Sequence, residues 1–110
     1  MSIVAHMFAA FFLVNSVPHF VHGMSGEMFP SPFGSPPGIG LSAPWINVLW
    51  GGFNFAVGCG LLWGVGEFRF GANIDTALVF ATGLAIGVLI GQRVQRNRAR
   101  QKALAVPPGD

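Results

Sequence analysis

Along the chain, three long apolar windows alternate with polar interruptions, and a basic segment follows the last of them. Residues 3–22, 44–64 and 74–92 are predominantly apolar, each close to the ~20 residues that a helix needs to cross a hydrocarbon layer of roughly 30 Å. No Lys, Arg, Asp or Glu interrupts the first two windows, and Asp75 stands at the edge of the third. None shows the alternating period of a barrel strand, and a backbone in hydrocarbon must satisfy its own hydrogen bonds. The pattern predicts an all-α integral membrane protein with three transmembrane helices. The whole chain, 1–110, reads as one transmembrane helical domain with 93–110 as a basic tail. The first window lacks a Lys/Arg-rich start, carries Pro18 and His19 near its end, and is followed by no clean Ala-x-Ala site. It is therefore expected to be a retained helix rather than a cleaved signal.

Composition points the same way. Only 9% of residues are charged, against about 25% in an average soluble domain. Five of the six basic residues lie between Arg93 and Lys102, which leaves one Arg and three acids in the first 92 positions. A water-soluble shell cannot be built from that, and the basic balance describes a tail rather than a nucleic-acid-binding surface. By the positive-inside rule the C-terminus is expected in the cytoplasm, the link holding Arg69 outside, and, with three crossings, the N-terminus outside. Attraction of the tail to anionic lipid headgroups accompanies that placement. Trp45 and Trp63 are 18 residues apart, about 27 Å of helix rise, as interfacial aromatics at the two ends of one span would be. Trp50, inside those limits, asks for another explanation.

Small residues recur at intervals of four: Gly83, Gly87 and Gly91 in the third window, and Ala56, Gly60 and Gly64 in the second. Such stripes let helix backbones approach closely, so Gly60, Gly64, Gly83, Gly87 and Gly91 are expected to serve helix packing, within the chain or between copies. The single cysteine, Cys59, has no disulfide partner and reads as a packing residue.

The first connection, residues 23–43, is rich in Pro and Gly, so regular secondary structure is not expected there. It also carries Met24, Met28, Phe29, Phe33, Ile39 and Leu41, which suit a stiffened loop lying at the membrane interface or capping the bundle. The ordered series N-x-x-P-H-F-x-x-G-x-x-G from Asn15, F-P-S-P-F from Phe29, P-P-G-x-G-L-S-x-P from Pro36 and N-x-x-W-G-x-x-N from Asn47 resembles a group of small uncharacterised bacterial integral membrane proteins. The resemblance covers residues 15–54 and implies a small protein of the bacterial inner membrane. It implies no catalytic role.

The polar residues inside the windows form a pattern of their own. At 100° per residue Asn15, His19 and His22 fall on one face of the first helix, and His6 points to the opposite side near the outer end. Asn47 and Asn54, seven apart, share a stripe of the second helix with Trp50 or Gly51 between them. Counting rise from the cytoplasmic border puts His19 and Asn47 at one depth, about 4 to 5 Å, with Asn15 near Trp50 and with Asn54 and Thr82 near mid-membrane. Pro18 is expected to kink the helix and free the carbonyl of Val14. Two readings stay open. The polar residues are interhelical pegs that fix rotation and register, or Asn15, His19, His22, Asn47, Trp50 and Asn54 line a pocket for a small molecule, a quinone or a lipid headgroup.

Metal ligation is disfavoured by ligand counting: His19 and His22 find no His or acid at matching depth on the other helices. No cofactor is expected. There is no G-x-S-x-G elbow and no phosphate-cradling glycine motif, so no catalytic residues are assigned and no enzymatic activity is expected. The first expectation is thus a structural or accessory membrane protein packing with itself or with a larger membrane complex, with membrane lipids as its other partners. The alternative is a ligand pocket between the first two helices.

Overall fold

The computed structural model describes residues 2–105, and their order is α1 (Ser2–Met24), β1 (Phe29–Pro30), β2 (Leu41–Ser42), α2 (Pro44–Gly64) and α3 (Ile74–Ala105). All three helices are long and apolar enough to cross a membrane. The basic segment from Arg93 continues α3 through Ala105. Its last five positions, 106–110, lie outside the described residues. The molecule is elongated, 59 × 24 × 22 Å, as a 32-residue helix of about 48 Å requires.

Local chemistry sets the helix ends. α1 runs unbroken through Pro18 and stops at a Schellman motif: Glu27 N donates to His22 O at 2.8 Å and Gly26 N to Gly23 O at 3.1 Å. Gly26 takes φ +74°, a conformation that costs a residue without a Cβ little. α2 begins with Pro44 in its first turn, where the missing N–H is not needed. α3 is capped by Asn73, whose Oδ1 accepts from Thr76 N at 2.8 Å while its carbonyl accepts from Ala77 N. Asn73 Nδ2 and Thr76 Oγ1 both donate to Arg69 O, which closes the short link between α2 and α3.

α1 is the middle helix. It packs against both α2 and α3, far more extensively against α2, and α2 and α3 share no substantial contact. The buried face of α2 is Asn47, Gly51, Asn54, Gly58 and Leu62, at spacings of 4, 3, 4 and 4. A Cβ on Gly58 would stand 2.6 Å from Leu13 Cγ, and one on Gly51 3.1 Å from Ser16 O, so the two backbones meet where only glycine fits. The α1–α3 contact is looser: Gly83 and Gly87 face the side chain of Val14, with grooves on either side.

Within the chain, this arrangement uses only part of the glycine stripes. Gly60, Gly64 and Gly91 have open space where a Cβ would stand, so they pack against no helix of their own chain. For Gly60 the reason lies in the amides. Asn47 and Asn54 must turn inward, and at 100° per residue Gly60 falls about 120° away from the face that they define.

The connection is also more ordered than expected. β1 and β2 pair antiparallel, Phe29 opposite Ser42 and Pro30 opposite Leu41, and the hydroxyls of Ser31 and Ser42 hydrogen-bond to each other. Two residues per strand is the minimum ladder. It folds the loop back over the end of α1 and α2, hereafter the loop end of the bundle.

Candidate functional site

Asn47 organises the loop end. It is fully buried, and its amide donates to three carbonyls: Phe29 O at 3.0 Å, Ser42 O at 3.1 Å and Ala43 O at 3.2 Å. One side chain thereby holds β1, the end of β2 and the start of α2 together. Three carbonyl acceptors fix which end of the amide is nitrogen, so Oδ1 faces His19 and accepts from it. His19 Nδ1–H donates to Asn47 Oδ1 at 2.8 Å, which in the neutral imidazole leaves Nε2 with a lone pair. His19 is 5% exposed, and among the described residues its Nε2 has no hydrogen-bond partner and is not completely buried. Phe29 fits between His19 and His22 of α1, edge-on to His19 at 5.2 Å and stacked on His22 at 4.4 Å.

One turn further from the loop, Asn15 Nδ2 donates to Asn54 Oδ1 at 3.1 Å, and Asn54 Nδ2 donates to Trp50 O at 2.8 Å. Asn54 is 1% exposed. The indole of Trp50 stacks on Phe53 and meets Phe33 of the loop edge-on. Between these groups, the loop and α3 lies a cavity of about 360 Å³, whose polar lining includes Asn15, His19, Ser31, Asn54, Arg93 and Asn97 and whose aromatic lining includes Phe11, Phe12, Phe29 and Trp50.

Of the six pocket residues anticipated from the sequence, the structure brings Asn15, His19, Trp50 and Asn54 to this cavity. Asn47 stands behind His19 as its support. His22 is turned elsewhere, into the groove between α1 and α3, where its Nε2 accepts from Arg98 Nη2 at 3.4 Å and its Nδ1 is 3.6 Å from Glu27 Oε2. Thr82 does not line the cavity. Arg93 and Asn97, one turn apart on α3, do. The sequence shows only that they follow an apolar span, so their inward side depends on how α3 is rotated against α1.

A second polar cluster occupies the opposite end of the bundle. His6, 1% exposed, donates through Nε2–H to Val65 O at 2.9 Å and meets Phe68 edge-on at 5.3 Å. Its Nδ1 is 3.3 Å from Asp75 Oδ2. One imidazole thus touches the end of α2, the link and the first turn of α3. The sequence offered His6 as a polar residue facing away from the seam, and Asp75 as an edge charge, without joining them.

Among the described residues no three His, Cys, Asp or Glu side chains converge as a metal site. Comparisons with protein-family models, with curated proteins and with solved structures find no match.

Proposed function

We propose that this chain is a three-span protein of the bacterial inner membrane, N-terminus outside and C-terminus cytoplasmic. In this reading it is a structural or accessory component that packs its helices against a second copy or a larger membrane complex. The observation that carries it is the state of α3. None of its most apolar window is buried within the chain, and Phe80, Leu84, Val88 and Leu89 are exposed along it, beside the open Gly91. Lipid covers such a surface at no gain or loss in apolarity, so close packing of small residues is what favours a protein neighbour. The apolar windows and the basic segment after the third support the membrane and its orientation, and the resemblance over residues 15–54 supports the bacterial inner membrane.

The test is native purification of the full chain in mild detergent, followed by cross-linking and mass spectrometry. A defined homo-oligomer or a stoichiometric membrane partner is expected. A monomer with no co-purifying protein overturns the reading. A reporter fused to the C-terminus is expected to be active in the cytoplasm, and activity on the outer face overturns the orientation.

One observation favours a second reading beside the first. The cavity at the loop end has on its walls the imidazole of His19, whose Nε2 has no hydrogen-bond partner among the described residues, and the guanidinium of Arg93. Its volume is within the range of about 300–1,000 Å³ typical of small-ligand sites. It supports a ligand pocket formed by α1, α2, the loop and α3.

A further inference from the structure

We propose that this cavity is the headgroup site of an anionic glycerophospholipid, its phosphate at Arg93 and Asn97 and a headgroup hydroxyl at His19 and Asn15. The proposal rests on the cavity being a ligand pocket and names what fills it.

The hydrogen-bonding groups left free on the cavity wall define the occupant. His19 is more than nine-tenths buried, and its tautomer is dictated from behind by Asn47, so Nε2 offers an acceptor and no donor. Asn15 donates through Nδ2 to Asn54, which leaves Oδ1 as a second acceptor one turn away. Both call for an O–H or N–H on the ligand. On the α3 side the polarity is reversed. The Arg93 guanidinium lies over the loop, with Nη2 3.8 Å from where a Cβ on Gly38 would stand. Among the described residues no carboxylate is within ion-pairing distance of it. Asn97, one turn on, adds an amide. A cation without a protein counter-ion, beside an amide donor, suits an anion with several acceptor oxygens, and phosphate matches the guanidinium fork.

Charge decides between a lipid phosphate and a neutral quinone. A quinone would satisfy His19 only as its reduced hydroxyl form and would make no use of the Arg93 charge. The remaining walls say where the rest of the molecule goes. Phe11, Phe12 and Ile90 carry the lining from the polar loop end toward the middle of the helices. Headgroup chemistry at the loop end and hydrocarbon beyond it is the order in which a phospholipid presents itself. The loop end is also the end that the basic segment of α3 assigns to the cytoplasmic leaflet, where anionic lipids attract Lys and Arg.

The experiment uses the full chain in neutral-detergent micelles, with lipid retention read by native mass spectrometry. Phosphatidylglycerol is expected to bind about tenfold more tightly than diglucosyldiacylglycerol, a neutral lipid that keeps headgroup hydroxyls but has no phosphate, the scale of one charge-assisted contact. Phosphatidylmethanol, anionic but without the hydroxyls, should fall about threefold below phosphatidylglycerol, the scale of one neutral hydrogen bond. Arg93→Gln should remove most of the preference for phosphatidylglycerol, while Arg100→Gln, which changes the same charge outside the cavity, leaves it. Equal losses in the two variants would mean diffuse attraction to the basic segment and overturn the site. Equal binding of phosphatidylglycerol and phosphatidylmethanol overturns the hydroxyl contact. Glycerophosphoglycerol displacing the lipid at equimolar concentration would make a free phosphodiester the ligand and overturn the lipid assignment. Asn97→Trp, which fills the cavity, separates the two levels: equal retention of neutral and anionic lipid that this variant abolishes ends the anionic assignment and leaves a pocket. Retention that Asn97→Trp does not touch ends both.

Discussion

The two helix contacts of this protein are built on opposite principles. α1 meets α2 through hydrogen-bonded amides, a histidine and close-packed glycines, with Asn47 and Asn54 almost completely buried. α1 meets α3 through Val14 against Gly83 and Gly87, and among the described residues polar groups join only at the ends, His6 with Asp75 and His22 with Arg98. In water an apolar interface would stabilise the pair by burial alone. In lipid it would not, since the surface left behind is as apolar as the surface gained. With the bundle in lipid, as proposed, the difference separates a helix pair locked in register from a third helix held at its two ends.

The sharpest way to break the comparison is Asn47→Leu. It removes a donor from the carbonyls of Phe29, Ser42 and Ala43 and leaves His19 without its acceptor. A loss of about 3 kcal/mol is expected in unfolding titrations with denaturing detergent, with the loop becoming protease-sensitive. Gly58→Val forces a side chain into Leu13 at the closest approach of α1 and α2, and the same titration should report a loss of about 2 kcal/mol. At the opposite end, His6→Phe keeps the ring but removes the donor to Val65 O. About 1 kcal/mol is at stake there, and hydrogen exchange should rise in the link and the first turn of α3 while the α1–α2 pair stays protected. The smallest expected effect is the most informative for function. Gly60→Ala lies on the open side of α2 and should change monomer stability by less than about 0.5 kcal/mol. A clear loss of self-association in that variant would assign the open stripe to a contact between copies.

Much of the seam is legible in the spacing of its polar residues. Asn47 and Asn54 seven apart, and Asn15 and His19 four apart, put polar groups on one face of each helix, and antiparallel helices set His19 against Asn47. Their hydrogen bond at 2.8 Å is what equal depth predicts. Asn15 engages Asn54 directly, a turn deeper than its expected position beside Trp50, because the amide of Asn54 reaches along the seam while Trp50 contributes its carbonyl from behind. The small-residue stripes are harder to read. Spacing of four identifies a flat face but not what covers it, and of the glycines in the two stripes only Gly83 and Gly87 find a neighbour in the chain.

By itself, the sequence determined three apolar helices, the ends of the first two and the start of the third to within two residues, and the inward faces of α1 and α2. These follow from periodicity and from the cost of leaving amides unpaired in an apolar medium. Only the tertiary structure decided that α1 stands between α2 and α3, that three carbonyls converge on Asn47, and that Arg93 and Asn97 line a cavity with His19 while His22 turns away. The physical reason is that α3 carries no polar residue in its span strong enough to dictate its rotation. Its placement depends on contacts that close only after folding: Val14 against two glycines, and His6 reaching Val65 and Asp75 across more than half the length of the chain.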